Sequence, residues 1–265
     1  MNLATIAVGP TRRTVHYYRR GHGQPLLYLH HMLGMMGFEP ALAKLSESFD
    51  VVAPYAPGWG PAKDDLVDVD RGPLDLTLHN IDLLNALNVK SAHVVGISIG
   101  AWMAAELAAI APQRVDSLVL VNPLGLWLDE VGGADPFAQH PGMPSEVLFS
   151  QSGMRKQFLF EGRDKMDAHV EELLNLRASA KFLWPIPDTG VLRRLPRIEA
   201  PTLIATSEHD SVVPAAYGPA WRDAIAGSRL TTLPNAGHLA ELEQPEAFAA
   251  LVCDFIRKHA MPAVA

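Results

Sequence analysis

The chain has 265 residues, 48% of them hydrophobic and 19% charged, and this composition is typical of a compact globular protein rather than a disordered or fibrous one. Its net charge of −7 argues against nucleic acid as a partner, because phosphate neutralisation needs a basic surface. With a single cysteine (Cys253), no apolar run of the ~18 residues that a membrane span needs, and no signal-peptide pattern at the start, we expect a soluble, cytoplasmic protein.

The elements predicted along the chain alternate between strands and helices. Five continuous apolar runs indicate strands that are buried on both faces, and they lie at 25–31, 50–55, 91–98, 116–123 and 200–207. Two outer strands are predicted at 14–20 and 228–234, and helical patterns occupy 38–49, 76–88, 99–111 and 166–180 and the apolar stripe Phe248, Leu251, Val252, Phe255 and Ile256. This alternation predicts an open α/β sheet with helices packed on it.

One interval, from Leu124 to Arg197, is far longer than the dozen or so residues that a connection between parallel strands requires. It contains half of the Phe and Trp residues of the chain, namely Trp127, Phe137, Phe149, Phe158, Phe160, Phe182 and Trp184. We therefore predict a core made of 1–123 and 198–265 and a helical cap made of 124–197. The aromatic side chains either fill the interior of the cap or line a substrate pocket. Trp127, Phe137 and Trp184 are the pocket candidates.

A candidate nucleophile lies at the start of the third of these helices. Gly96-Ile97-Ser98-Ile99-Gly100 matches G-x-S-x-G, follows an apolar strand and opens a helix rich in alanine. A strand-turn-helix setting holds such a serine on a tight turn, and the flanking glycines remove side chains that would collide there. The helix N-terminus would direct free amides at the serine. These features predict that Ser98 is a nucleophile.

A serine nucleophile needs a base, and the base needs an acid that orients it. Asp210 follows the strand at 200–207, and His238 follows the strand at 228–234, so both lie on loops at strand C-terminal ends. Glu208 lies on the same loop as Asp210 and competes with it for the role of the acid. The order serine, acid, histidine predicts that His238 is the base and that Asp210 is the acid.

These motifs resemble the α/β-hydrolase superfamily over essentially the whole chain, through PLLYLHHMLG, VVAPYAPGWGP, VVGISIGAWMAAELA, RIEAPTLIATSEHDSVVP and LPNAGHLAELEQPEAF. The resemblance implies a mostly parallel twisted sheet with a helical cap between the sixth and seventh strands. It also implies a Ser98, Asp210 and His238 triad, with the backbone amides of Met32 and Ile99 as the oxyanion hole.

Two positions depart from the pattern of that superfamily. His31 stands where a glycine is usual, so an imidazole must fit beside the oxyanion loop, and we count His31 with the pocket candidates. Tyr55 replaces a usual aspartate and is expected to change hydrogen bonding in the loop more than the chemistry.

The sequence predicts neither a metal nor a cofactor. His30 and His31 lack further ligands at a metal-binding spacing, and no glycine-rich phosphate loop is present. We expect a serine hydrolase acting on carboxylic esters of small to medium apolar molecules. The alternatives are hydrolysis of a carbon–carbon bond in meta-cleavage products, cofactor-free oxygenation, and ligand sensing by a receptor that keeps the triad. The oligomeric state stays open.

Overall fold

The computed structural model describes residues 2–37, 39–140 and 142–259, and within them the backbone forms one eight-stranded sheet. The strands are β1 (Ala4–Val8), β2 (Arg13–Arg20), β3 (Pro25–Leu29), β4 (Asp50–Pro54), β5 (Ala92–Ile97), β6 (Val115–Val121), β7 (Thr202–Ser207) and β8 (Arg229–Leu233). Their order is β1-β2-β4-β3-β5-β6-β7-β8, with antiparallel pairing only at β1-β2 and β2-β4 among the described strands. The predicted mostly parallel sheet is confirmed.

Helices cover the sheet and leave its central strands without solvent contact. All six residues of β5 and all six of β7 are buried, which explains why their sequences are continuous apolar runs rather than alternating ones. The helices are α1 (Pro40–Leu45), α2 (Pro73–Ala86), α3 (Ile99–Ile110), α4 (Met154–Phe160), α5 (Lys165–Leu183), α6 (Tyr217–Ala224), α7 (Ala240–Glu243) and α8 (Pro245–His259). Short 3₁₀ helices lie at Gly60–Asp68, Pro112–Arg114, Glu146–Leu148, Val191–Arg193 and Leu195–Arg197.

The central helix α3 is buried over nearly its whole length, and glycine and alanine make up six of its eleven buried residues. It packs against β3, β5, β6 and α2, while α1 packs against α8. A Cβ atom on Gly100 would come within 2.1 Å of the carbonyl oxygen of Leu29, so only glycine fits at this approach. The start of α3 is thereby fixed beside the C-terminal ends of β3 and β5.

The structure differs from the sequence prediction mainly in short elements. Strand β1 and helices α4, α6 and α7 were not predicted, because runs of four to eight residues carry little periodicity. The helix expected over 38–49 is the shorter α1, and Phe38 lies outside the described residues, as do Met1 and 260–265 of the predicted core. Helices α4 and α5 lie between β6 and β7, in the segment predicted to form the cap, whose exact bounds stay a prediction.

In the part of the chain that the structure describes, none of the helices combines the length and the apolar character that crossing a bilayer requires.

Candidate active site

Ser98 occupies a strained turn between β5 and α3. Its backbone angles are φ 59° and ψ −125°, in a region that residues other than glycine rarely adopt. A Cβ atom on Gly96 would lie 2.3 Å from the carbonyl oxygen of Gly100, so the two glycines are what allows the chain to turn this tightly. The turn places the Ser98 side chain at the C-terminal end of β5, above the N-terminus of α3.

The structure brings Ser98, His238 and Asp210 together in one hydrogen-bonded chain. The Nε2 atom of His238 lies 2.8 Å from Ser98 Oγ, and its Nδ1 atom lies 2.8 Å from Asp210 Oδ2. The side chains of His238 and Asp210 are fully buried, and Ser98 is as well. With Asp210 accepting from Nδ1–H, the lone pair of the neutral imidazole is on Nε2 and faces the serine hydroxyl.

Backbone amides hold Asp210 in this arrangement. Its Oδ1 atom accepts hydrogen bonds from the N–H groups of Val212 and Val213, both at 2.9 Å. Glu208, the competing acid, instead accepts from the N–H of Asn235, and its side chain is 50% exposed. The geometry therefore places the carboxylate of Asp210, and not that of Glu208, on the histidine.

Asn122 fixes the loop that carries His238, and sequence reasoning did not identify this residue. Its Nδ2 atom donates to the carbonyl oxygen of His238 at 2.9 Å and to Ser207 Oγ at 2.8 Å. The residue follows β6 directly and has a positive φ of 46°, which asparagine tolerates better than most residues. Its position directly after a buried strand was the one feature of the sequence that could have indicated a role near the site.

The two backbone amides predicted to form an oxyanion hole are those of Ile99 and Met32. The N–H of Ile99 is the first of α3 and has no intrahelical acceptor. Among residues 2–37, 39–140 and 142–259, the N–H of Met32 donates to no protein group, while the carbonyl oxygen of Met32 accepts from Trp59 Nε1 and Ser179 Oγ, both at 2.9 Å. These two bonds fix the peptide that follows Met32, so the loop presents a rigid backbone to the site.

His30 acts as a structural element of this loop. Its Nδ1 atom lies 2.8 Å from the carbonyl oxygen of His31, and its Nε2 atom accepts from the N–H of Ala56 at 3.1 Å. Burial lowers the pKa of His30 to about 4, so the ring is neutral near pH 7 and both hydrogen bonds are kept. Tyr55, the second departure from the superfamily pattern, donates its hydroxyl to the carbonyl oxygen of Met35 at 3.0 Å.

A small apolar cavity lies next to the serine turn. Its volume is about 80 Å³, and its lining includes Leu124, Trp127, Phe137, Leu183 and Val212. The N–H of Leu124 donates to the carbonyl oxygen of Ser98 at 3.3 Å, which places this wall of the cavity beside the nucleophile turn. Two of the predicted pocket residues, Trp127 and Phe137, are therefore part of the lining.

The other two pocket candidates lie elsewhere. Trp184 directly follows α5 in an extended backbone conformation, and 54% of its surface is exposed, whereas the neighbouring Leu183 and Pro185 line the cavity. His31 is fully buried, and its ring faces Glu39 and Glu241 on the inner side of the loop. Neither residue belongs to the cavity lining.

The family model described as the alpha/beta hydrolase family matches residues 21–251. The chain belongs to the alpha/beta hydrolase family. A 2-hydroxy-6-oxononadienedioate/2-hydroxy-6-oxononatrienedioate hydrolase of Pseudomonas putida is 29% identical to it over 96% of each chain. Two solved structures share the hydrolase fold: a membrane phospholipase A (TM-score 0.78, 22% identity, 98% and 87% of the two chains) and a meta-cleavage product hydrolase from Pseudomonas fluorescens IP01 (0.75, 20%, 96% and 97%).

Proposed function

We propose that the protein is a serine hydrolase that cleaves carboxylic esters of small to medium apolar molecules. The observation that carries this proposal is the continuous contact from Ser98 Oγ through His238 to Asp210, at 2.8 Å for each step, in a site closed to solvent. This arrangement matches the geometric requirement for an activated nucleophile, a base within hydrogen-bond reach and an acid that orients the base.

The reaction follows from the positions of the protons. Asp210 holds the Nδ1 proton of His238, so Nε2 takes the hydroxyl proton of Ser98 as Oγ attacks the ester carbonyl. The N–H groups of Met32 and Ile99 receive the negative charge that develops on the carbonyl oxygen. His238 then gives its proton to the departing alcohol, and a water molecule activated by the same imidazole releases the acid and restores Ser98.

The charges around the cavity support a neutral substrate. Its lining contains the carboxyl of Asp135 but, within the described residues, no lysine or arginine. Two arginines of the region between β6 and β7 are neutralised by carboxylates: Arg194 donates twice to Glu106 at 2.6 Å, and Arg155 donates to Glu172 at 2.7 and 2.5 Å. A substrate carboxylate entering this cavity would lose its hydration without gaining a cation, which is unfavourable.

Carbon–carbon bond hydrolysis is a second candidate, favoured by the names of the relatives. The Pseudomonas putida relative is named for a dioate substrate, and the Pseudomonas fluorescens structure is titled a meta-cleavage product hydrolase. Attack by Ser98 on a ketone carbonyl would use the same base and the same amides. Such acids carry carboxylates, however, and the cavity lining offers them no basic side chain.

A direct comparison of the two substrate classes tests the proposal. Nitrophenyl esters of increasing acyl length and a 2-hydroxy-6-oxo-dienoate are assayed with the wild type and with Ser98→Ala. We expect kcat/KM for a short or medium ester to exceed that for the dienoate by about tenfold or more, and we expect long acyl chains to be poor because a small apolar cavity fills. The reverse ranking would establish the carbon–carbon reaction, and no turnover of either class would refute both.

A further inference from the structure

The loop that contains Met32 is held from two sides. From the segment between β6 and β7, Ser179 donates to the carbonyl oxygen of Met32, and Asn175 donates to that of Leu33 at 2.6 Å. On the other side of the loop, the side chain of His31, the residue immediately before Met32, contacts Glu241 of α7. His31 therefore connects this loop to α7 at the residue next to the Met32 amide.

His31 faces two buried carboxyl groups that come from distant parts of the chain. Its Nε2 atom lies 3.5 Å from Oε1 of Glu241 and 3.9 Å from Oε1 of Glu39, and the side-chain exposures are 0%, 0% and 3%. Tyr28 donates its hydroxyl to Glu241 Oε1 at 3.4 Å. His31 Nε2 and the other carboxyl oxygens, Oε2 of Glu39 and Oε2 of Glu241, have no hydrogen-bond partner in the described part of the chain.

The hydrogen bond at Nδ1 of His31 indicates whether Nε2 carries a proton or could bind a metal ion. The N–H of Leu33 donates to Nδ1 of His31 at 3.1 Å, so Nδ1 carries a lone pair. A neutral imidazole then has its proton on Nε2, directed at the two carboxyl groups. A metal ion on Nε2 would need the opposite tautomer, with an N–H at Nδ1 that would point at the N–H of Leu33. The spacing of the cluster is that of metal ligands, but the hydrogen bonding fits a proton.

Burial also favours the protonated form of the two carboxyl groups. Burial raises the pKa of Glu39 to about 7 and that of Glu241 well above its usual range, with the neighbouring Glu39 charge adding to the effect on Glu241. Burial also lowers the pKa of His31, with the nearby His30 and His238 acting in the same direction. Near pH 7 the cluster therefore contains a neutral imidazole and at least one protonated carboxyl group.

The cluster connects the two loops that the proposed reaction uses. Glu241 lies in α7, three residues after His238, and His31 directly precedes Met32. We propose that His31 is a positioning residue that sets the Met32 amide for the developing oxyanion through its Nε2–H contact with Glu241, an inference that rests on the proposed function. His31 itself touches no substrate, because it lies on the inner side of the loop.

Two amide variants of His31 separate its two contacts. Gln places an N–H near the position of Nε2 and keeps a donor toward Glu241, whereas Asn places its amide near Nδ1 and keeps only the contact with Leu33. Both are polar, so they serve as matched controls for burial of an amide. We expect kcat for His31→Asn to fall about tenfold or more below that for His31→Gln, with KM of both within about threefold of the wild type.

Two further measurements do not depend on turnover. The ¹⁵N spectrum of the imidazole, assigned by its loss in His31→Gln, should show an unprotonated Nδ1 and a protonated Nε2 from pH 6 to 8. Elemental analysis of the purified protein should show no stoichiometric Zn, Mn or Fe, and thermal unfolding should confirm that each variant is folded. Glu208→Gln, a surface variant, controls for loss of charge.

The outcomes distinguish this inference from the proposed function. A wild type that turns over no ester refutes the proposed function, while the imidazole spectrum still tests the tautomer. An active wild type with equal kcat for folded His31→Asn and His31→Gln overturns the positioning role. A proton on Nδ1, or one equivalent of metal that is lost in Glu241→Gln, overturns the inference in favour of a metal site.

Discussion

Two buried histidine–carboxylate pairs lie side by side in this protein and differ in how their carboxyl groups are solvated. Asp210 accepts the His238 Nδ1–H at 2.8 Å and two backbone amides at 2.9 Å. Glu241 faces His31 at 3.5 Å and has one long bond from Tyr28, with its Oε2 atom unpartnered among the described residues. Converging backbone amides hold the buried carboxyl group of Asp210 in one orientation, whereas burial with few donors raises the pKa of Glu241 and favours its protonated form.

The largest expected effect comes from removing the acid of the first pair. Asp210→Asn should lower kcat by about 10⁴-fold, because an amide can donate to Nδ1 and leave His238 in the wrong tautomer for accepting the Ser98 proton. Glu208→Gln, on the same loop but half-exposed, is the matched control and should have little effect. Steady-state kinetics of both variants check this, and a larger loss in Glu208→Gln would transfer the role of the acid to Glu208.

The amide between the two pairs should have the next largest effect. Met32→Pro deletes the backbone N–H that we assign to the oxyanion hole, and kcat should fall by about 10²-fold or more. Met32→Leu conserves volume and the amide, so its loss should be small. Equal losses in the two variants would show that the methionine side chain, and not its N–H, is what matters.

Glu39, which lies beside the second pair, should make the stability of the protein depend on pH. The folded-state pKa of Glu39 is raised from 4.5 to about 7, so the folded protein keeps a proton that the unfolded chain has lost between these values. The resulting stability is fully present below pH 4.5 and is lost as the pH rises to 7, by on the order of 3 kcal/mol. The titratable groups near Glu39 are His31, Glu241 and Tyr28, and the main cause of its raised pKa is desolvation by burial.

Urea denaturation of the wild type and Glu39→Gln at pH 5 and pH 8 measures this difference. The variant should show a smaller loss than the wild type, because glutamine cannot become charged, while Glu241, whose pKa is also raised by burial, still contributes its own loss. Parallel pH profiles for the two proteins would show that Glu39 is not the group that titrates in this window.

The smallest effects should come from the cavity wall. Trp127→Ala should change the ranking of ester acyl lengths by several-fold while chemistry continues, since the triad lies on the sheet and only binding is altered. The exposed Trp184→Ala is its control and should leave the ranking as it is. A uniform decrease for every ester in Trp127→Ala would indicate that this tryptophan supports the interior of its segment instead.

The sequence was most informative where chemistry and backbone geometry coincide. Ser98 is flanked by glycines that the turn requires, and Asp210 and His238 follow strands whose C-terminal ends must meet at one edge of a parallel sheet. Patterns of this kind are local, so they can be seen without coordinates. The confirmed fold has the same origin, because buried parallel strands are continuous apolar runs.

The contacts that support the site could not be predicted, because they join distant segments without a fixed spacing. Glu39 and Glu241 reach His31 from separate helical regions, and the absence of a ligand motif near His31 gave no indication of either. Ser179 reaches Met32 across 147 positions. The exposure of Trp184 could not be predicted either, because the sequence does not show which way a large apolar side chain next to a helix end is directed.

The most direct test of the central claim is covalent labelling of the wild-type protein with a fluorophosphonate, followed by mass mapping of the modified peptide. A single adduct on Ser98, with labelling abolished in Ser98→Ala and strongly slowed in Asp210→Asn, is the result that we predict. An adduct on any other residue, or no adduct on a folded protein, would contradict the assignment of Ser98, His238 and Asp210 as the reacting groups.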